Sequence, residues 1–242
     1  MNLAEAIHDY DDTQLLGYLE EEIANRGNYG GLVCILLEQA LSEGRSDTVI
    51  FKLMDMGGSE LVKKRNEIGE TALHFACMAK YSPSLHVISR LIELGGGREM
   101  VMLSNECDQT ALHYACMNSK NVSLDIISKL IEIGGRELVM KKEINGFTSL
   151  YCACDHENVS IDVISKLIDV GGKELVMQKD EDGVGSALNR ACQQENVSVD
   201  IISKLLDIGG RELLMDQNNF LDLLLCTIIV ERKMFQLILS KN

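Results

Sequence analysis

The sequence predicts an all-α solenoid, a row of antiparallel helix pairs stacked side by side, and three observations carry that expectation. One phrase is written four times: SPSLHVISRLIELGGGREMVM at 82–102, KNVSLDIISKLIEIGGRELVM at 120–140, ENVSIDVISKLIDVGGKELVM at 157–177 and ENVSVDIISKLLDIGGRELLM at 195–215. A shorter phrase keeps step with it: GETALHFAC (69–77), DQTALHYAC (108–116), GFTSLYCAC (146–154) and GSALNRAC (185–192) align on Leu73, Leu112, Leu150 and Leu188, spaced 39, 38 and 38 residues apart. The composition fits short helices packed by aliphatic side chains: 46% hydrophobic residues, one proline, and only 5% aromatic residues with no tryptophan. Self-similarity at such a period marks repeat architectures, whose units share a core only by stacking.

The long phrase reads as an amphipathic helix. Ile126, Ile127, Leu130 and Ile131 fall on one stripe, with Asp125, Ser128, Lys129 and Glu132 opposite. Ser123 or Asn121 is placed to accept a hydrogen bond from an orphan N–H, and Asp125 suits the positive end of the helix. Gly134-Gly135 is expected to stop the helix through a left-handed residue, with Arg136 turned back onto the exposed carbonyls and GGRELVMKKEING forming a loop. The short phrase puts Leu112, Ala115 and Cys116 on one side, small enough for close helix approach.

The pattern extends outward. DTVIFKLMDMGGSELVKK (47–64) is the second helix of an earlier unit, with ILLEQAL (35–41) as its first, and LAEAIHDYDDTQLLGYLEE (3–21) reads as a still earlier pair. The expected organisation is one repeat domain, 1–242: divergent units 3–31 and 32–67, clear repeats 68–105, 106–144, 145–182 and 183–217, and an apolar cap at 218–242. Divergent ends suit a stack, whose terminal units each have a face without a neighbour.

Thr71-Ala72-Leu73-His74 and Thr110-Ala111-Leu112-His113, each followed two residues later by Ala-Cys, resemble the ankyrin repeat, with Gly69 and Gly146 at the family's Gly-x-Thr position. The resemblance covers residues 3–217 and is strongest from 69 on. It implies helix pairs joined by projecting hairpins, a structural bond between His74 or His113 and its threonine hydroxyl, and a role in binding other proteins. The period is longer than the family's usual ~33; we place three extra residues between the helices and two in the loop after them. Asp108 replaces the glycine in one unit, and Gly183 is shifted by an insertion in another.

Other chemistry finds little support. A net charge of −14 opposes a nucleic-acid face. Residues 1–31 carry −6 and 145–182 carry −5, which reads as solvated surface. No basic start precedes an apolar run in Met1–Tyr10, and the most apolar stretch, 223–230, is far shorter than the ~20 residues needed to cross a bilayer. We therefore expect no membrane segment and an intracellular protein, cytoplasmic or nuclear. On that reading the three Asn-Val-Ser tripeptides are helix starts rather than glycosylation sites.

Cys77, Cys116, Cys154 and Cys192 hold equivalent positions. Stacked helices lie ~8–10 Å apart, too far for the ~7 Å Cα limit of a disulfide, so these cysteines are expected to stay reduced. His74/Cys77 and His113/Cys116 have a metal-like spacing, but Tyr151 and Asn189 replace the histidine in later units, so no metal is expected. Gly183-Val184-Gly185 lacks the strand and helix a dinucleotide site requires, and no nucleophile–base set converges. We expect no cofactor and no enzyme.

What varies between units is a set of non-core positions on the short helices. One row reads Phe75, Tyr114, Cys152, Arg190; the next reads Met78, Met117, Asp155, Gln193. We expect a protein partner, or a peptide of one, to be bound by a monomeric chain through Phe75, Met78, Tyr114, Met117, Phe147, Asp155, Arg190 and Gln193. Phe147 is placed as an exposed aromatic at a loop tip. The alternatives are a structural spacer in a larger assembly and an enzyme without a recognisable motif.

Overall fold

Residues 10–26, 32–118, 121–155, 159–194 and 197–215 are described in the computed structural model. Among them the regular structure is helical: α1 (Asp12–Arg26), α2 (Leu32–Glu43), α3 (Asp47–Lys63), α4 (Ala72–Met78), α5 (Leu85–Leu94), α6 (Arg98–Met102), α7 (Ala111–Met117), α8 (Leu124–Val139), α9 (Ser149–Cys154), α10 (Ile161–Val176), α11 (Ala187–Gln193) and α12 (Val199–Met215). The fold is the expected all-α one. The chain divides into two compact units, residues 1–134 and 135–242.

In the first unit the helices form two layers. Short helices α2, α4 and α7 pack in sequence, and long helices α1, α3 and α5 pack in sequence behind them. In the second unit α9 packs on α11 and α10 on α12, with each short helix also against its own long partner. The aliphatic stripe of the long phrase is the core. Ile126, Ile127, Leu130 and Ile131 are buried, as are Val87, Ile88, Leu91 and Ile92 of α5 and Val163, Ile164, Leu167 and Ile168 of α10.

The helix starts follow from the repeated serine. Ser84, Ser123 and Ser160 accept from the backbone N–H of Val87, Ile126 and Asp162 at 3.2, 3.4 and 3.2 Å, satisfying one orphan donor each. Asn121 instead donates to Asn118 Oδ1 at 2.8 Å. Helix α1 opens on a reciprocal cap: Asp11 Oδ1 accepts from Gln14 N at 2.8 Å while Gln14 Oε1 accepts from Asp11 N at 3.2 Å. It runs to Arg26, beyond the expected end of that segment. The rest of the expected N-terminal pair (1–9), Asn158, Asn196 and the cap at 218–242 lie outside the described residues.

The glycine pairs do not end their helices as expected. Gly135 and Gly172 adopt φ/ψ of 65°/−160° and 65°/−162°, a region essentially reserved for glycine and distinct from the left-handed helix. The chain kinks there and re-enters helix, so RELVM and KELVM are helical turns, not loop. Their apolar pairs explain it: Leu138 with Val139 and Leu175 with Val176 are buried, giving the extra turn a core contact of its own. Arg136 also differs from expectation. Its Nη1 donates to Val170 O and Gly171 O of the following repeat at 3.1 and 2.6 Å, and Nη2 meets Glu174 Oε2 at 2.6 Å. Arg98 likewise donates to Ile133 O and Gly134 O, at 3.3 and 2.8 Å. After the kink the arginine is carried away from its own helix end and onto the carbonyls of the next, where the dipole is negative.

Cys77, Cys116 and Cys154 are buried thiols not bridged to one another, and burial pushes Cys77 and Cys154 up to about 12. The expectation that the whole row stays reduced fails at Cys192, which is disulfide-bonded. Its partner is none of the other three, as the helix spacing requires. Among the described residues no helix is long and apolar enough to cross a membrane.

Candidate protein-binding face

The short helices are fixed at their first turn by the repeated threonine and histidine. His74 Nδ1 accepts from Thr71 N at 3.1 Å and lies 2.9 Å from Thr71 Oγ1; Nε2, left with the proton, donates to Gln109 O of the next hairpin at 3.2 Å. Thr110 and His113 repeat the first two distances. In the fourth repeat Ser186 N donates to Asn189 Oδ1 at 3.2 Å, so asparagine does the histidine's work. These helices are anchored from within at their first turn.

The loops are hairpins, three of them closed by an isolated β-bridge: Ser104 to Thr110, Lys142 to Thr148 and Lys179 to Ser186. A polar side chain five or six residues before the threonine or serine organises each turn. Asn66 Oδ1 accepts from Ile68 N and Glu70 N at 3.1 and 2.8 Å, and Asn105 Oδ1 from Cys107 N and Gln109 N, both at 2.9 Å. Glu143 Oε1 accepts from Asn145 N and Phe147 N at 2.8 and 3.1 Å. Neighbouring hairpins are joined by backbone bonds, Glu106 N to Ile68 O at 3.0 Å and, in the second unit, Glu181 N to Asn145 O at 2.8 Å.

That joint is so close that only glycine fits. Gly146 has φ +83°, and a Cβ there would lie 2.5 Å from Glu181 N and 2.8 Å from Asp180 C. Gly183, at φ +73°, has nothing within 4 Å. Both substitutions to alanine carry the left-handed cost of ~1–2 kcal/mol. Gly146→Ala must also push two backbones apart, and denaturant unfolding should show it more destabilising than Gly183→Ala by about 1 kcal/mol or more. Equal losses would mean the hairpins separate freely.

In the first unit, Phe75, Tyr114 and Met117 are half-buried and Met78 is 44% exposed. Tyr114 is more constrained than its place in a binding row suggests. Its hydroxyl donates to the buried Glu70 carboxylate and accepts from Asn105 Nδ2 at 3.0 Å, while Asn66 Nδ2 holds the other Glu70 oxygen at 2.9 Å. Burial first, and the Glu70 carboxylate second, raise the tyrosine pKa. Its ring also meets His74 edge-on, centroids 5.7 Å apart. The side chain therefore offers a partner a ring and not a hydroxyl. Helix α2 adds Ile35, 55% exposed, and Glu38, which burial holds above the usual carboxylate range and which accepts from Cys34 Sγ at 3.3 Å.

In the second unit, Asp155, Arg190 and Gln193 come together: Arg190 pairs with Asp155 and donates to Gln193 Oε1 at 3.0 Å. Phe147 is not at a tip. It closes its hairpin through Glu143 N to Phe147 O at 3.0 Å, is half-buried, and stacks on Tyr151 with centroids 4.0 Å apart and planes 3° from parallel. The exposed apolar side chains of the tips are Ile68, Ile144 and Val184. The sequence signal for these three is one aliphatic residue inside each turn, NEIGET, EINGFT and DEDGVGS; Ile35, in helix α2, has no such signal. The basic residues near the loops are partly engaged: Lys63 pairs with Glu99 at 3.4 Å, Arg65 donates to Ser104 O, and Lys142 donates to Lys179 O at 2.7 Å. Among the described residues no group of three or more His, Cys, Asp or Glu is placed to hold a metal ion.

Residues 37–137 match a family model described as ankyrin repeats, in three copies. No curated protein matches the chain.

Proposed function

We propose, from the premise that this chain is an ankyrin-repeat protein, that it is a non-enzymatic binding module which captures another protein through its short-helix face and hairpin tips. Ankyrin repeats are protein-interaction modules, and one observation carries the reading to these residues. Helices α4 and α7 are pinned by internal bonds, yet Met78 stands exposed on the helices that carry Phe75, Tyr114 and Met117, and Ile35 stands exposed on α2, which packs against α4, so apolar surface is held in water. Covering such side chains is what supplies interface energy. Asp155, Arg190 and Gln193 offer a polar counterpart in the second unit. Among the described residues six cysteines are unbridged and Cys192 is bridged, a balance that supports an intracellular setting.

Met78→Glu with Met117→Glu is expected to abolish capture of partners from a lysate, a loss of tenfold or more at ~1.4 kcal/mol per decade, with the far-UV helical signal unchanged. Unchanged capture would move the site to the hairpin tips of one unit, Ile68 in the first or Ile144 and Val184 in the second. A structural spacer is the second reading: it would keep its neighbours through Phe75→Ala with Tyr114→Ala, which a binding face would not.

A further inference from the structure

We infer that Asn145–Gly146 is a latent self-modification site, held unreactive by Glu143 in the closed hairpin and open to deamidation once that hairpin opens. It is the sole Asn-Gly step in the sequence. Asparagine is among the chemically labile residues, and a following glycine offers its nitrogen without a Cβ to obstruct approach. Gly146 N attacks Cγ of Asn145, a five-membered imide closes, and the Cγ–Nδ2 bond breaks. The nitrogen departs as ammonia with the proton released from Gly146 N. Solvent water then opens either imide bond, leaving aspartate or, with the main chain rerouted through Cγ, isoaspartate.

The hairpin occupies both reacting groups. Gly146 N–H donates to Glu143 O at 2.8 Å, and Asn145 Nδ2 donates to Glu143 Oε2 at 3.0 Å. The other carboxylate oxygen takes Asn145 N and Phe147 N at 2.8 and 3.1 Å, and Glu143 is 6% exposed. One side chain and its own carbonyl thus commit the nucleophile and the leaving group at once. Reaction changes what the clamp can hold. A carboxylate would replace the carboxamide donor opposite Glu143, setting like charges together, beside a hairpin that already carries Asp180, Glu181 and Asp182. Isoaspartate would also lengthen the main chain and carry Asn145 O away from Glu181 N, now 2.8 Å distant. An opening event would leave a permanent chemical mark on the joint between two repeats.

The test compares the full chain with a free peptide of residues 141–149 at neutral pH, following isoaspartate by methyltransferase labelling and peptide mapping. The chain is expected to convert more slowly on the order of tenfold or more, because reaction waits on local opening. Glu143→Gln should raise the chain's rate several-fold with its far-UV signal intact. Equal rates in chain and peptide, or an unchanged rate in the folded variant, would overturn the proposal. Should the variant not fold, the wild-type chain in sub-denaturing urea decides: conversion must rise with hydrogen exchange at Gly146, and conversion indifferent to that exchange overturns it.

Discussion

Leu130→Ala is expected to lower the unfolding free energy by about 2–5 kcal/mol, the range for deleting an enclosed leucine side chain. Leu130 is fully buried at the centre of the stripe formed by Ile126, Ile127 and Ile131, and its counterparts Leu91, Leu167 and Leu205 are fully buried as well. Four residues at one register, all at zero exposure, say that the position belongs to the core of each unit. The loss combines the transfer free energy of the missing carbons with the cavity left where neighbours cannot close in. Urea denaturation followed by far-UV circular dichroism reads it as a shift in midpoint. A loss below about 0.5 kcal/mol, the range of ordinary surface changes, would mean the buried stripe is misassigned. Leu91→Ala and Leu167→Ala make the same test within each compact unit.

Acid should destabilise the fold through His74, and His74→Asn should remove that part of the effect. Burial pulls the imidazole from its ordinary 6.5 down to about 4, and Nδ1 is committed as acceptor to Thr71. Between those values the unfolded chain binds a proton and the folded chain does not. The stabilisation is therefore complete above pH 6.5, drains as pH falls, and is exhausted below about 4. Across that window it amounts to roughly 3 kcal/mol. Asparagine is the apt replacement because Asn189 already accepts from Ser186 N in the fourth repeat and has no proton to gain. The measurement is urea midpoint against pH for both proteins. Parallel decline would place the acid sensitivity elsewhere, among the carboxylates.

What the sequence made legible was whatever repeats. The aliphatic stripes, the serine caps and the threonine–histidine pins all recur, and four aligned copies separate a position with a structural duty from one without. The misreadings share a cause, which is that a residue's partner lies in the next copy. Gly134-Gly135 looked like a stop because a single phrase does not reveal that Leu138 and Val139 find a core. Arg136 reads as meeting its own helix end because the carbonyls it meets are more than thirty residues ahead. Phe147 reads as a tip in the sequence because hairpin geometry depends on Glu143, whose buried carboxylate takes a turn-organising role that Asn66 and Asn105 fill elsewhere. The tip residues Ile68, Ile144 and Val184 sit in strings too short and too unlike one another for alignment to expose them.

The crosslinks carried by Arg98 and Arg136 bear on how such a chain can change its length. Lys63 to Glu99 and Lys173 to Glu212, at 3.4 and 2.8 Å, are simpler versions of the same reach. Each junction takes its cation from one copy and its acceptors from the next, and these parts are interchangeable. Deleting or duplicating a whole period therefore rebuilds a working junction at the seam, wherever the cut begins. An insertion out of phase strands a cation on one side and bare carbonyls on the other. Growth by copying is tolerated by this chemistry, and growth by any other increment is not.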